Sequence, residues 1–255
     1  MKKYNTPLLA QWPSIIAHRG ASSLAPENTL AAFVAARQAG ARAIELDVHL
    51  CASGDLVVIH DHWLDRLCAL HRRVEEMKMS ELSLLDVGSH FKNVYPQAYT
   101  ESFSRERIPT LDQALETIGN DIFLDIELKL DSLSPLPLVH ALKKCLSRHN
   151  RSRYIVSSFN PLALLAWKGI GGHTTAAIYC PELSVPFYMR HRECLYLSGA
   201  DIKKPSLETA LASPGFETGK KPVLVWTVDT PSTAKLLLEG GVSAIITNRI
   251  QDWQS

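Results

Sequence analysis

Short runs of aliphatic and β-branched residues recur along the chain, and segments with a helical pattern lie between most of them. Such runs predict buried strands, whereas apolar positions three or four residues apart predict helices. The segment 28–39 shows the helical pattern, with a polar capping residue before it and Gly40 just after it. Eight strands are predicted in this way, at 15–18, 43–49, 122–128, 154–158, 175–179, 195–201, 223–228 and 243–247.

Alternation of strands and helices favours a parallel sheet with helices on its faces. Eight such units in 255 residues have the size of a (β/α)8 barrel. The expected fold class is therefore α/β, a TIM barrel, and a doubly wound sheet is the alternative. No linker marks a second unit, so one domain is expected over residues 1–255.

The alternation is interrupted after the second predicted strand. The segment 55–60, DLVVIH, follows that strand after a short turn that contains Gly54. This spacing leaves no room for a crossover helix and predicts a hairpin. The polar stretch at about 63–107 is far longer than a usual strand-to-helix loop of about 2–6 residues. A small inserted subdomain is predicted there.

Composition limits the partners of the chain. The content of 46% hydrophobic and 21% charged residues is that of an ordinary globular protein. With 27 basic and 26 acidic side chains, the formal charge of +1 supplies no long-range field for nucleic acid or an anionic membrane. No nucleic-acid partner and no stable membrane insertion are therefore expected, and the oligomeric state stays open.

The N-terminus and the cysteines predict the compartment. The start MKKYNTPLLAQWPS is broken by polar residues and prolines before any apolar run reaches the length of a signal peptide. The five cysteines have no Cys-x-x-Cys spacing, and their odd number argues against a disulfide framework. Reduced thiols in a cytoplasmic protein are expected.

The second predicted strand, IELDVHL, carries a polar face. On an edge strand in water, such a face would need no functional explanation. In a closed parallel barrel, however, both faces are covered, so Glu45 and Asp47 are expected to point into the barrel mouth. Their spacing lets both reach one hard cation. The next strand, in LDIELK, places Asp125, Glu127 and Lys129 on one face, and carboxylates that converge there repel unless a cation neutralises them.

Two histidines lie at strand ends beside these carboxylates. His18 ends the first predicted strand in HRG, and His60 ends the hairpin in HD. Two imidazoles near neutrality can act as general acid and general base. Arg19 and Lys129 add fixed positive charge that suits a phosphate. The set predicts chemistry at phosphoryl oxygens with a bound cation.

Several motifs together resemble the glycerophosphodiester phosphodiesterase family. They are HRGASSLAPENTLAAF, AIELDVHLCASGDLVVIHD, IPTLDQAL, LDIELK and VWTVD, and they span most of the chain in order. The most specific part is HRG followed by PENT, E-x-D and HD. The short bacterial cytoplasmic members are the nearest likeness.

The resemblance implies a TIM barrel with an insertion after the second strand, a divalent cation (Mg²⁺ or Ca²⁺), and hydrolysis of glycerophosphodiesters to sn-glycerol 3-phosphate and an alcohol. It also carries roles to eight positions: acid and base at His18 and His60, metal ligands at Glu45, Asp47 and Glu127, and substrate contacts at Arg19, Lys129 and Trp226.

Other readings accompany these roles. There are two alternatives to a glycerophosphodiesterase. One is a lysophospholipase D, which would need an apolar channel that the aromatic residues of the insertion could line. The other is a barrel that binds phosphodiesters without turnover. Glu27 and Asn28 in PENT are read as helix-start residues. Asp61 is read as a residue that orients His60 or the hairpin. Surface or packing roles are expected for three further histidines, His49, His62 and His71.

Overall fold

Eight parallel strands form the centre of the fold in the computed structural model, which describes residues 11–172, 174–182, 190, 192–212 and 221–253. Most of the N-terminal segment discussed above lies outside these residues. The strands are β1 Ile15–Ala17, β2 Ala43–Leu50, β3 Leu56–Val58, β4 Phe123–Leu128, β5 Tyr154–Ser158, β6 Thr175–Tyr179, β7 Ile202–Pro205, β8 Leu224–Val225 and β9 Ala244–Thr247.

The parallel strands run in the order β7-β6-β5-β4-β2-β1-β9-β8. Parallel bridges from Lys203 to Val223 and from Ser206 to Trp226 join the two ends of this order. The sheet therefore nearly closes on itself, which confirms the predicted (β/α)8 barrel. The remaining strand, β3, pairs antiparallel with β2, with Val58 opposite Val48, as the hairpin prediction required.

Helices connect the strands and cover the outside of the barrel. In the part of the chain that the structure describes, the helices are α1 Leu30–Gln38, α2 Asp65–Cys68, α3 Met79–Leu82, α4 Phe91–Val94, α5 Leu111–Ile118, α6 Leu136–Arg148, α7 Pro161–Gly169, α8 Glu193–Ser198, α9 Leu207–Ala212 and α10 Pro231–Glu239, and 3-10 turns lie at Val74–Glu76, Glu101–Arg105 and Ile250–Trp253. Within the described ranges, no helix is both long enough and apolar enough to cross a membrane.

The prediction of a strand at 195–201 is wrong. Most of that run lies in α8, where Cys194, Leu195 and Ser198 are buried at helical spacing, and Gly199 ends the helix with a left-handed backbone. The strand follows as β7. Its two lysines interrupt the apolar run by which a buried strand is predicted.

The start of α1 also differs from the prediction. Thr29 is the N-cap, because its hydroxyl accepts a hydrogen bond from the Ala32 amide. Asn28 has a φ of +55° and lies before the cap, so it and Glu27 do not begin the helix. The Asn28 side chain is directed at Asp47, and that of Glu27 is directed at Arg19.

The two faces of the sheet have different chemistry. On the outer face, residues such as Ile44, Leu46 and Ile126 are buried in a cluster with the helices. Inside the barrel, Ala43, Phe123 and other apolar residues fill one end. Since side chains alternate along a strand, the same inward face of β2 continues into Glu45 and Asp47 towards its carboxyl end. The strands thus carry polar residues to the end where TIM barrels bind their substrates.

The polar stretch between β3 and α5 folds into short elements that enclose apolar residues of their own. Helices α2, α3 and α4 and two of the 3-10 turns occupy this stretch, on which the predicted insertion at 63–107 falls. Leu64, Val74 and Leu82 are fully buried there and pack against Val57 of β3. The segment is therefore fastened to the hairpin by apolar contacts.

Candidate active site

Three buried carboxylates meet at the mouth of the barrel. Glu45, Asp47 and Glu127 have exposed fractions of 1%, 0% and 7%, and one oxygen of each lies within 4.8 Å of the others. The strand register explains the cluster, because Asp47 of β2 lies directly opposite Glu127 of β4. The three residues predicted as metal ligands are thus brought together.

Lys129 lies among these carboxylates. Its Nζ is 3.0 Å from Asp47 Oδ1 and also contacts Glu127 Oε1. Burial alone would raise the pKa of Asp47, but Lys129, followed by His60 and Arg19, holds it well below its usual value. Burial, followed by the charge of Asp47, raises the pKa of Glu45 well above its usual value. The two carboxyl groups therefore differ, because Lys129 favours the ionised form of Asp47 and burial beside Asp47 disfavours that of Glu45.

Arg19 contacts the same cluster through its backbone and its side chain. Its amide donates a hydrogen bond of 3.0 Å to Glu45 Oε2, a geometry that goes with its left-handed φ of +54°. Its Nε lies 3.4 Å from Asp47 Oδ2, and its Nη1 donates to Glu27 Oε1 at 2.9 Å. Glu27 therefore anchors the guanidinium at the mouth.

Asn28 is a site residue that sequence reasoning missed. Its Nδ2 donates to Asp47 Oδ2 at 2.8 Å, and its Oδ1 accepts from the Asp47 amide at 3.3 Å. This pair of bonds fixes the position of Asp47 on the strand. Asn28 lies in the PENT motif, which the sequence analysis did single out. Polar residues before a helix are commonly caps, so Asn28 was interpreted as a helix-start residue and not as a site residue.

His18 is oriented by a chain of hydrogen bonds through Asn248 and Asp229, which follow the last two strands. Asn248 donates its amide hydrogen to Asp229 at 2.8 Å, so its Oδ1 faces His18 Nδ1 at 2.7 Å as an acceptor. The hydrogen of His18 therefore lies on Nδ1, and Nε2 presents a lone pair 3.9 Å from Glu45 Oε2. Burial, followed by the charge of Arg19, lowers the pKa of His18 to about 3, so the ring is neutral.

His60 has a carboxylate partner instead. Its Nδ1 lies 2.6 Å from Asp61 Oδ1, and Asp61 Oδ2 accepts from Arg66 Nε at 2.6 Å. Because a carboxylate only accepts, the hydrogen of His60 lies on Nδ1 here too. Asp61, itself held by Arg66, thus fixes the tautomer and the orientation of the His60 ring. The two histidines therefore differ in their partners, which are an amide oxygen for His18 and a carboxylate for His60.

Trp226 lies one residue beyond β8 and packs partly buried against the residues inside the barrel. Its Nε1 donates to the Lys204 carbonyl at 3.0 Å, and its ring meets Phe159 edge-on with centroids 5.8 Å apart. These contacts fix the indole in one orientation. Its role towards a substrate stays a prediction.

A buried ion pair lies beneath the cluster. Lys204 of β7 and Asp125 of β4 are 2% and 0% exposed, and Lys204 Nζ lies 2.8 Å from Asp125 Oδ2. Ser157 donates to the other Asp125 oxygen at 2.6 Å. Sequence reasoning placed no strand at Lys204 and so missed it.

Removing Lys204 is expected to destabilise the protein strongly. The variant Lys204→Met leaves the Asp125 charge buried without its partner, which costs about 3–5 kcal/mol. Urea unfolding followed by circular dichroism measures this loss. The double variant Lys204→Met with Asp125→Asn should recover much of it, while Lys235→Met on the exposed face of α10 should stay within about 1 kcal/mol of wild type. Equal stability of the Lys204→Met and Lys235→Met proteins would contradict the buried pair.

Comparison with known sequences identifies the relatives of this chain. The model of the glycerophosphoryl diester phosphodiesterase family matches residues 18–252. The chain belongs to this family. A glycerophosphodiester phosphodiesterase of Caldanaerobacter subterraneus subsp. tengcongensis is 34% identical over 239 residues, which cover 92% of this chain and 93% of the relative. One from Bacillus altitudinis is 29% identical over 92% of this chain and 94% of the relative.

Solved structures agree with this family membership. A phosphodiesterase of Oleispira antarctica, in complex with the product sn-glycerol-3-phosphate, superposes with a TM-score of 0.80 at 26% identity over 96% of each chain. A glycerophosphodiester phosphodiesterase of Agrobacterium tumefaciens gives a TM-score of 0.70 at 25% identity, with 94% of this chain and 98% of that chain covered. The chain is therefore an enzyme of the phosphoric diester hydrolase class.

The donor atoms of the glycerophosphoryl diester phosphodiesterase site suit a divalent cation. Glu45, Asp47 and Glu127 offer oxygen ligands, which hard cations such as Mg²⁺ and Ca²⁺ prefer. Among the described residues, buried Asp47 Oδ1 accepts no hydrogen bond and has Lys129 as its close charged contact. The residues present fit a metal ion.

Proposed function

We propose that the enzyme hydrolyses glycerophosphodiesters to sn-glycerol 3-phosphate and an alcohol, with His18 and His60 as its base and acid. The observation that carries the proposal is the position of two differently paired histidines beside the buried cluster of Glu45, Asp47 and Glu127. Family membership supports the substrate class, and the product bound to the Oleispira antarctica phosphodiesterase supports the product.

His18 is suited to take a proton from the nucleophile. Its Nδ1 hydrogen is committed to Asn248, so the Nε2 lone pair is the basic atom. The hydroxyl next to the phosphate on the glycerol group is the proposed nucleophile, because its attachment holds it near phosphorus. Its oxygen attacks phosphorus and forms a cyclic phosphate as its proton passes to His18.

His60 is suited to protonate the leaving alcohol. Asp61 accepts a hydrogen bond from its Nδ1, and Arg66 holds Asp61 in place, so Nε2 is the atom that would carry the proton to be transferred. As the bond from phosphorus to the alcohol oxygen breaks, the proton of His60 goes to that oxygen. Water then opens the cyclic phosphate with the two roles exchanged, which restores both rings and yields sn-glycerol 3-phosphate.

The charged residues of the mouth bind and orient the phosphate. A Mg²⁺ or Ca²⁺ ion held by Glu45, Asp47 and Glu127 would polarise the phosphate oxygens. Arg19 and Lys129 are placed to add positive charge at the same face, and Trp226 forms an aromatic wall of the pocket. Because the carboxylates are buried, the positive charges of the cation, Arg19 and Lys129 would act away from bulk water, which would screen them.

The variants Lys129→Met and Arg19→Met are expected to lower kcat/KM on the order of 10²–10³, because each removes a fixed charge that stabilises the transition state. Rates and melting temperatures should be measured on the same samples. Lys235→Met, which removes an exposed lysine from α10, is the matched control and should keep its rate. A loss of stability large enough to explain the lost rate would instead assign Lys129 and Arg19 a structural role.

A substrate panel tests the proposal. Release of glycerol 3-phosphate is measured for glycerophosphocholine, glycerophosphoethanolamine and glycerophosphoglycerol, and choline release is measured for lysophosphatidylcholine. Faster turnover of the water-soluble diesters supports the proposal. Preference for the lysolipid would favour the lysophospholipase D alternative, and binding without turnover of any member would reject the catalytic assignment.

A further inference from the structure

A second group of potential metal ligands lies outside the carboxylate cluster. His49 on β2 meets His62 and Glu75 of the segment after the hairpin, and one atom of each lies within 4.8 Å of the others. His49 is fully buried, whereas the side chains of His62 and Glu75 are 21% and 30% exposed. The group is thus reachable from solvent on one side.

The contacts of the two imidazoles follow one pattern. His49 Nδ1 lies 2.9 Å from Glu75 Oε1, and His62 Nδ1 contacts the same oxygen. On the far side of each ring, His49 Nε2 lies 3.2 Å from the His60 carbonyl, and His62 Nε2 lies 2.9 Å from Asp131 Oδ1. Histidine ligands in metal sites are held in this way, with the second nitrogen donating to a carbonyl or carboxylate.

The hydrogen-bond partners of the two imidazoles indicate what would lie between His49 Nδ1, His62 Nδ1 and Glu75 Oε1. A carbonyl and a carboxylate only accept, so Nε2 of both His49 and His62 must carry a hydrogen. The two Nδ1 atoms then converge on a single oxygen of Glu75, which brings no hydrogen of its own. Each contact needs a proton or another cation, and two protons would place two charged rings with centroids 4.7 Å apart. One divalent cation would serve all three atoms at once, with the two Nδ1 atoms moving away from Glu75 Oε1 to the wider separation that ligands of one ion require.

We propose that His49 Nδ1, His62 Nδ1 and Glu75 Oε1 bind a transition-metal ion, Zn²⁺, at a site separate from the carboxylate cluster. Two imidazoles and one carboxylate are a donor set that suits Zn²⁺, with a fourth position for water. Arg73 lies 3.3 Å from the other Glu75 oxygen and 2.8 Å from Asp131 Oδ2, so it balances charge without contacting Glu75 Oε1.

The ion would fasten the segment after the hairpin to the barrel. His49 belongs to β2, two residues beyond Asp47, whereas His62 and Glu75 belong to the polar stretch that follows β3. Binding to the folded chain stabilises it by mass action, because the unfolded chain does not hold these three groups together. Zn²⁺ is therefore expected to raise the melting temperature.

Calorimetric titration of the full-length protein with ZnCl₂ in excess MgCl₂ tests the site, since magnesium occupies oxygen ligands and competes poorly for imidazole. Wild type is expected to bind one Zn²⁺, and the affinity should fall at least tenfold in both His62→Gln and Glu75→Gln. His71→Gln, which alters an exposed histidine of the same segment, is the matched control and should bind as wild type does. Glu127→Gln should also keep this binding.

Melting curves with and without ZnCl₂ give a second readout on the same proteins. Zinc should raise the melting temperature of wild type and His71→Gln, and leave that of His62→Gln and Glu75→Gln unchanged. Failure of wild type to bind Zn²⁺ in excess MgCl₂ would overturn the proposal. So would equal zinc affinity in wild type and Glu75→Gln, or loss of the binding in Glu127→Gln.

Discussion

Replacing His18 or His60 with alanine is expected to lower kcat for glycerophosphocholine by on the order of 10²–10⁴, while metal and substrate binding stay near wild type. His18→Ala removes the proposed base, and His60→Ala removes the proposed acid. Neither imidazole belongs to the apolar core, so both variants should fold. Rates should be measured by release of glycerol 3-phosphate and binding by calorimetry.

The two variants should also differ from each other. An alcohol that is already a good leaving group, such as p-nitrophenol, needs no protonation when it departs. A glycerophosphodiester of p-nitrophenol should therefore restore much of the rate of His60→Ala and little of the rate of His18→Ala. His140→Ala on the exposed side of α6 is the control and should match wild type. Equal rescue of both variants would contradict the assigned roles.

The second large effect is expected from the carboxylates. Each of three variants removes a charged oxygen from the predicted metal site: Glu45→Gln, Asp47→Asn and Glu127→Gln. Losing a residue that only hydrogen-bonds to a metal ligand lowers metal affinity roughly 10–100-fold, so losing a ligand charge should lower it at least as much. Chelation with EDTA should abolish activity of wild type. Added Mg²⁺ or Ca²⁺ should restore it, and whichever ion restores more identifies the preferred one.

A carboxylate far from the mouth separates this effect from a general loss of charge. Glu116→Gln on α5 removes an exposed carboxylate and should leave cation affinity unchanged. Calorimetric titration with Mg²⁺ and with Ca²⁺ measures all four variants. Wild-type affinity in Glu45→Gln, Asp47→Asn and Glu127→Gln would remove the proposed metal site.

The barrel and the residues at its mouth were predictable because two patterns coincide in the sequence. Alternation along β2 shows that Glu45 and Asp47 share a face, and a closed parallel sheet leaves that face only the interior. The same alternation places Glu127 on the inward face of β4, and the register of the folded sheet then sets it opposite Asp47. Local pattern and global fold therefore point to one arrangement.

The residues that were missed depend on partners distant in sequence. Lys204 interrupts the apolar pattern of β7, and it is buried because Asp125, 79 residues earlier, neutralises it. Asn248 orients His18 across 230 residues. Asn28 has the residue type of a helix cap, and only its positive φ aims it at Asp47. Single-sequence pattern carries no information on such pairings, which arise when the barrel closes.

Phosphorus NMR of the enzyme with glycerophosphocholine and Mg²⁺ identifies which bond of the diester breaks, and it therefore tests hydrolysis to sn-glycerol 3-phosphate. We expect the diester resonance to be replaced by that of sn-glycerol 3-phosphate, with a cyclic phosphate resonance before it, and the diester to persist far longer with His18→Ala than with wild type. Formation of phosphocholine, or an unchanged diester with wild type in the presence of either Mg²⁺ or Ca²⁺, would contradict it.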